Sequence, residues 1–252
     1  MFEDASDFQE YYRSRQGRHV AMRLRRSLSD FWSRSANGCN AAIGYAPPLL
    51  RADERPAVLN FAPMRLGPYD WPPKGPGRTV LVNGRSLPLQ NVQLDRLLLI
   101  HALEFDPNPS RLLEECWRVL DGAGRLLVMV PNRNGLWARA ERTPFGHGRP
   151  FSRGQLRTLL LDHGFTPIVA KTVLFMPPAA LGLFLRFGPQ IERIGQNWSP
   201  AVGGVLMAEA EKNLYAPAGK TSRERIASGA RELAPRPTSA IREGVIKRND
   251  HA

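Results

Sequence analysis

The sequence has few of the residues that mark several large protein classes. It contains only two cysteines, Cys39 and Cys116, in 252 residues. Two distant thiols do not build a disulfide framework, and without a CxxC pair or a Cys/His cluster the sequence does not suggest zinc. We therefore expect no metal site and a reducing, cytoplasmic environment.

Long apolar runs are also scarce. The first residues, MFEDASDFQEYY, are acidic and aromatic, and they lack the basic start and apolar stretch of a signal peptide. The longest apolar run, PPAALGLFLRFGP, includes Arg186 and is too short to span a bilayer. We expect no transmembrane segment.

The net charge of +12 is concentrated in two segments. Residues 11–36 hold seven arginines and one acid, and residues 212–252 hold nine basic and four acidic side chains. One interpretation is a surface for nucleic acid, acidic lipid or another acidic partner. The other is that the basic ends only keep the protein soluble, which is favoured because no RNA-stacking motifs lie among them.

Hydrophobic spacing predicts an α/β fold. Apolar residues three and four apart predict an amphipathic helix from Val20 to Trp32. Later segments alternate between strand and helix patterns, which indicates a doubly wound, mostly parallel sheet. Helices are predicted at Pro109–Leu120 and Ser152–His163, and strands at Asn40–Gly44, Pro56–Asn60, Thr79–Val82, Asp95–His101, Arg125–Val130, Thr166–Phe175 and Gly203–Glu211.

The same patterns divide the chain into three parts. Residues 1–36 form an N-terminal helical extension, and residues 37–215 form the α/β domain. Residues 216–252 are basic and have no hydrophobic period, so we expect a largely disordered tail.

Three segments resemble class I S-adenosylmethionine-dependent methyltransferases of the type 11 branch. They are LPLQNVQLDRLLLIHALEF, RVLDGAGRLLVMVPN and GLWARAERTPFGHGRPFSRGQLRTLL. The resemblance spans residues 40–211 and implies a Rossmann-like, seven-stranded fold with S-adenosylmethionine as cofactor. It also implies transfer of a methyl group, to an acceptor that the sequence does not identify.

The resemblance places the cofactor at the carboxyl ends of the first four strands, where ligands of doubly wound sheets bind. The corresponding positions are the first turn, the two residues where the family has acids, a neighbouring glycine and the end of the fourth strand. They are Gly44, Tyr45, Asn60, Asn83, Gly84 and His101. We expect the turn at Gly44 and the strand end at His101 to line one hollow.

This chain departs from the family pattern in that hollow. The family motif resembles D-x-G-x-G-x-G, whereas here only Gly44 remains and Pro47 and Pro48 remove backbone donors. Asn60 and Asn83 offer neutral hydrogen bonds in place of the stronger charge-assisted ones. Two functions therefore stay open: a methyltransferase with a modified loop, or an inactive methyltransferase-like binding or regulatory module.

Candidate residues for the reaction follow the later strands. Methyl transfer needs little acid–base machinery, but His101 or His147 could deprotonate a nucleophile. The loop after the fifth strand is rich in glycine and arginine, and we expect it to bind substrate. The residues singled out there are Asn132, Arg149 and Arg153.

Overall fold

The computed structural model describes residues 2, 4–33, 38–53, 57–178 and 203–214. The predicted tail, residues 216–252, lies outside the described residues. Two helices come first in the chain, α1 over Ala5–Arg13 and α2 over Arg15–Ser33. The α2 helix confirms the predicted amphipathic helix. The α1 helix was not predicted, because its aromatic and acidic residues were used only to exclude a signal peptide.

The described residues after α2 contain seven strands, which form one sheet. Its strands are β1 (Asn40–Gly44), β2 (Val58–Pro63), β3 (Thr79–Val82), β4 (Leu94–Ile100), β5 (Leu120–Pro131), β6 (Phe165–Val173) and β7 (Val205–Lys212). The spatial order is β3-β2-β1-β4-β5-β7-β6. The first five strands are parallel, and β7 runs antiparallel between β5 and β6. The predicted fold class is thereby confirmed.

Helices cover the two faces of the sheet. On one face, α3 (Pro109–Val119) and α4 (Arg153–Asp162) belong to the core of Leu97, Leu99 and Val128. On the other, α1 and α2 belong to the core of Ala42, Leu98 and Met129. Alternate residues of the central strands thus enter different cores, as the two-residue period of a strand requires.

The connections after β1 and β2 explain why N-terminal helices occupy that second face. Each holds a 3₁₀ turn, Pro47–Leu49 in the first and Met64–Leu66 in the second, and the described residues of both lack an α-helix. Proline removes backbone donors and opposes a regular helix. The chain before β1 therefore supplies the helical cover that βα crossovers usually provide.

Two strand boundaries differ from the sequence predictions by three residues or more. The β2 strand extends to Pro63, three residues beyond the predicted end at Asn60. The β5 strand begins at Leu120, because residues 121–124 form an irregularity in the β4–β5 pairing and not a separate turn. None of the described helices is long and apolar enough to cross a membrane.

Candidate active site

The candidate site lies where the strand order reverses, between β1 and β4. The last residue of β1, Gly44, pairs with Ile100, and His101 follows immediately. The carboxyl ends of these strands therefore meet at one edge, as expected for a topological switch point. The expectation that Gly44 and His101 lie together is met.

Glycine is required at position 44 by close backbone packing. Its φ of 105° is unfavourable for a residue with a side chain, and a Cβ there would collide with the carbonyl oxygen of Ile100. Gly44 thus lets β1 turn sharply against the end of β4. Tyr45, the next residue, is buried beside this turn.

His101 is held in a completely buried position by two side chains. Its φ is 53°, an uncommon conformation for a residue other than glycine. Its Nδ1 lies 3.2 Å from Oε1 of Glu104, and its Nε2 lies 2.7 Å from the hydroxyl of Tyr12. These two contacts join Tyr12, His101 and Glu104 in one hydrogen-bonded chain, and all three residues are buried.

Aromatic side chains of α1 fill the hollow that the sequence predicted to be open. The Phe8 ring lies 5.0 Å from the His101 ring and 5.2 Å from the Tyr45 ring, measured between centroids. Tyr12 stacks on Tyr45 at 6.0 Å. The expectation of an open hollow is therefore corrected, because apolar rings of α1 gain burial by packing against the strand ends.

Burial keeps the phenols of this cluster protonated. It raises the pKa of Tyr12 well above its usual value, with smaller contributions from Tyr11 and Glu104. It also raises the pKa of Tyr45 to about 12, partly offset by the charge of Arg13. These hydroxyl groups therefore remain neutral near neutral pH.

Asn60 is buried within β2, before the strand ends. Its Nδ2 donates to the hydroxyl of Tyr69 at 2.8 Å, and that hydroxyl donates to the carbonyl oxygen of Gly44 at 2.7 Å. The Oδ1 of Asn60 has no hydrogen-bond partner among the described residues. Asn60 is thus linked to the β1 turn through Tyr69, a residue that the sequence analysis did not select.

Asn83 and Gly84 lie in a turn after the edge strand β3. Asn83 is exposed, and its Oδ1 accepts from the backbone N–H of Arg85 at 3.1 Å. Gly84 lies near Leu112 and Asp106 without steric need for glycine, since a Cβ would meet only ordinary contacts. No described contact joins this turn to His101.

The loop after β5 approaches His101 through its backbone. The N–H of Arg149 donates to the carbonyl oxygen of Glu104 at 2.7 Å, while the Arg149 side chain is exposed. The ring nitrogen Nε2 of His147 lies 2.6 Å from the carbonyl oxygen of Glu141. The His147 ring also lies 5.2 Å from the ring of Phe2, which in turn contacts Phe8 of α1.

Two other predicted substrate residues lie in different surroundings. Asn132 is buried, and its Nδ2 donates to the carbonyl oxygen of Gly203 at 2.7 Å. Its Oδ1 accepts from the N–H of Asn134, so its amide stabilises the end of β5. Arg153 is exposed at the start of α4, beside a groove with Leu156 and Lys171.

The residues that complete the site come mainly from α1. Sequence reasoning missed Phe8 and Tyr12, although the acidic N-terminal segment MFEDASDFQEYY contains two tyrosines and two phenylalanines. A signal was present in the capping pattern: Asp4 accepts from the N–H groups of Ser6 and Asp7, which starts the helix. Within the part of the chain that the structure describes, no cluster of side chains could hold a metal.

Part of this chain is similar in sequence to known methyltransferases. Residues 52–128 match the model of a methyltransferase domain family. Two curated proteins from Mycobacterium tuberculosis strains, each named as a probable S-adenosylmethionine-dependent methyltransferase, are 33% identical over 135 residues. That alignment covers 50% of this chain and 48% of each relative, so the chain spans about half the length of the curated relatives it matches.

Solved structures share the fold at low sequence identity. A methyltransferase from Thermotoga maritima, described as a possible histamine N-methyltransferase, has a TM-score of 0.52 and 17% identity, covering 82% of this chain and 95% of that one. An Archaeoglobus fulgidus methyltransferase has a TM-score of 0.52 and 15% identity, covering 81% and 97%. These structures show that the described chain has the fold of methyltransferases, and the sequence match to the methyltransferase domain family extends over residues 52–128.

Proposed function

We propose that this protein transfers a methyl group from S-adenosylmethionine to an acceptor that is not yet identified. The observation that carries the proposal is the meeting of Gly44 and His101 at the switch point of a β3-β2-β1-β4-β5-β7-β6 sheet. Ligands of such sheets bind beyond the carboxyl ends of the strands at this point. The matched domain, residues 52–128, includes β2 to β4 and most of β5.

The chemistry of the site suits this cofactor. Two buried oxygens near the strand ends, Oδ1 of Asn60 and Oε2 of Glu104, have no hydrogen-bond partner among the described residues. Buried polar atoms are rarely left unpaired, so they suit the ammonium or hydroxyl groups of a ligand. The aromatic face of Tyr45 that Phe8 covers suits a sulfonium cation. Once bound, the cofactor supplies an electrophilic methyl group.

Binding requires α1 to move, because the Phe8 ring occupies the space between Tyr45 and His101, at 5.2 and 5.0 Å from their rings. A hinge for that movement lies between α1 and α2. The two helices are separated by Ser14 alone, which is extended with φ −62° and ψ 161°. We therefore propose that α1 is a displaceable cover over the cofactor site.

Within this proposal the predicted residues have distinct roles. Gly44 and Tyr45 form the turn against which the cofactor lies, Asn60 offers its free oxygen, and His101 faces the reacting groups. Asn83 and Gly84 would be reached only by the far end of the cofactor. His147, Asn132, Arg149 and Arg153 stay predictions for the acceptor side.

Calorimetric titration with S-adenosylmethionine and with S-adenosylhomocysteine tests the proposal. We expect saturable binding of both by the full chain, and tighter binding when α1 is loosened. The matched control is a ligand without the sulfur centre, adenosine, which should bind more weakly. Absence of heat and of any thermal shift at millimolar cofactor, in the wild type and in a Phe8→Ala variant, would favour the inactive alternative.

A surface for an acidic partner is a further part of the proposal. Exposed arginines on the outer face of α2 recur at helical spacing: Arg15, Arg18, Arg25 and Arg26. Like charges on one face attract polyanions in a salt-dependent way. Retention on heparin that falls after Arg18→Gln and Arg25→Gln would support this role, and unchanged retention would refute it.

We also propose that the protein acts in the cytoplasm. Cys39 and Cys116 are free thiols, and burial raises the pKa of the Cys116 thiol well above its ordinary value. Both should remain reduced in a reducing compartment. Fractionation of cells that produce the protein would test the location.

A further inference from the structure

We propose that His101 is the general base of the reaction, that Glu104 positions it, and that the acceptor is a phenolic hydroxyl that replaces the hydroxyl of Tyr12. This inference rests on the proposed function and names its substrate class. The chain's own Tyr12 then occupies the acceptor position in the unliganded protein.

The first step concerns which nitrogen of His101 is free to take a proton. A carboxylate oxygen can only accept a hydrogen bond, so Glu104 Oε1, at 3.2 Å, binds a protonated Nδ1. In a neutral imidazole the other nitrogen, Nε2, then carries the lone pair. The hydroxyl of Tyr12, at 2.7 Å, therefore donates to Nε2.

The second step concerns the surroundings of that pair. The side chains of His101 and Glu104 are 0% and 1% exposed, so both are removed from water. Glu104 is anchored in place by its own backbone, whose carbonyl oxygen accepts from the N–H of Arg149 at 2.7 Å. A fixed carboxylate keeps the imidazole in one tautomer and stabilises the imidazolium that forms, which defines Glu104 as a positioning residue.

The third step concerns the shape of the acceptor. The Tyr12 ring stacks on Tyr45 at an interplanar angle of 17°, and the rings of Phe105 and Phe145 also lie against His101, at 6.5 and 5.0 Å. A flat aromatic ring that carries a hydroxyl therefore already fits this position, since Tyr12 is one.

The fourth step concerns proton affinity. An ordinary imidazole has a pKa of about 6.5 and a phenol about 10. An aliphatic alcohol is a far weaker acid than a phenol, and its pKa is close to that of water. Proton transfer to imidazole is therefore far less unfavourable from a phenol than from an alcohol. An aromatic amine offers an N–H donor of similar shape, which makes it the matched comparison.

The reaction balances with these groups alone and the cofactor's methyl group. The phenolic oxygen gives its proton to Nε2 of His101 and forms a bond to the methyl carbon. The bond between that carbon and sulfur breaks, and its electron pair stays on sulfur. The products are an aryl methyl ether, the demethylated thioether and an imidazolium, which returns its proton to solvent.

The first test uses the ligand-free protein and nitrogen-15 NMR of His101. We expect protonated Nδ1 and unprotonated Nε2 in the wild type. Glu104→Gln should shift the population toward the other tautomer, because an amide can also donate. Glu114→Gln is the matched control, since Glu114 pairs with Arg111 on the exposed face of α3 and should change nothing. A wild-type protein protonated at Nε2 would overturn the proposal.

The second test measures methyl transfer to p-cresol and to p-toluidine. Tyr12→Ala leaves a ring-sized space beside His101, and we expect this variant to methylate p-cresol at least about tenfold faster than p-toluidine. His101→Asn should lower the rate about a hundredfold or more, as loss of a general base does. Tyr11→Phe is the control for changes in α1, because the Tyr11 hydroxyl has no partner among the described residues.

The pH profile separates positioning from folding. Besides Glu104 and Tyr12, the titratable or charged groups near His101 are Tyr45 and the Arg65 guanidinium, which lies 4.3 Å from the Phe105 ring centroid and interacts with Glu104. Glu104→Gln should move the acid limb of the p-cresol profile, whereas Glu114→Gln should not.

The outcomes distinguish the two proposals. A Tyr12→Ala protein that binds S-adenosylmethionine but methylates p-toluidine as fast as p-cresol, or methylates neither, would refute the phenol proposal alone. A protein that binds no S-adenosylmethionine would refute the proposed function and the phenol proposal together.

Discussion

Replacement of Phe8 by alanine should tighten binding of the cofactor, because α1 competes with it for the same space. Phe8 is fully buried against Tyr45 and His101. Truncation of a buried phenylalanine to alanine costs about 3–5 kcal/mol. Here that cost falls on the closed position of α1, so the open position gains by the same amount.

The change in affinity follows from the populations of the two positions. The apparent dissociation constant equals the intrinsic one divided by the fraction of protein that is open. Each 1.4 kcal/mol corresponds to a factor of ten, so a shift of about 3 kcal/mol allows a gain of up to about a hundredfold. The gain ends once most molecules are open. We expect Phe8→Ala to bind S-adenosylhomocysteine at least about tenfold more tightly than the wild type.

Titration calorimetry at one temperature and salt concentration measures this change. Leu28→Ala in α2 is the matched control, since Leu28 is equally buried in the same core cluster but no described contact joins it to His101. It should lower the free energy of unfolding without tightening the binding. Unchanged or weaker binding by Phe8→Ala would refute the reasoning, and weaker binding would mean that α1 contacts the bound cofactor.

Three further predictions concern stability. Gly44→Ala should lower the melting temperature strongly even without ligand, because the new Cβ meets the Ile100 carbonyl oxygen at a φ of 105°; thermal unfolding measures this. Hydrogen bonds from Arg118 hold the pKa of Glu115 below its usual value, so Glu115 stabilises the fold above about pH 4 and this contribution is lost as the pH falls through the lowered pKa. Glu115→Gln should therefore lower the melting temperature at pH 7 more than at pH 3. Lys212→Met should cost about 1–2 kcal/mol in urea unfolding, because Nζ donates to the carbonyl oxygen of Leu120 at 2.8 Å and lies over the Trp117 ring.

Controls for these predictions are available in the chain. Gly67→Ala tests positive φ alone, since φ is 71° and no atom lies within 4 Å of the added Cβ. It should destabilise less than Gly44→Ala, and an equal effect would contradict the steric argument. The effect of Glu114→Gln on the melting temperature should differ less between pH 3 and pH 7 than the effect of Glu115→Gln. Lys212→Arg keeps a donor at this position and should therefore have a higher free energy of unfolding than Lys212→Met. If it does not, the hydrogen bond to Leu120 is not the cause.

The sequence by itself determined the order of strands and helices and hence the fold. Continuous apolar runs such as Leu97–Ile100 favour strands that are buried on both faces, and Asn40–Gly44 and Thr79–Val82 were predicted with their observed bounds. The capping pair Ser152 and Gln155 likewise starts α4 where expected. These features depend on neighbouring residues, so a local pattern is enough to predict them.

Only the tertiary structure decided what surrounds His101. The contact between Tyr12 and His101 joins residues 89 positions apart, and no local period indicates such a pair. The hollow predicted to be open is filled by α1, because Phe8 and Tyr12 lose contact with water by packing against the strand ends. Local patterns specify which segments are helices and strands, whereas the packing of distant side chains specifies which of them meet at the site.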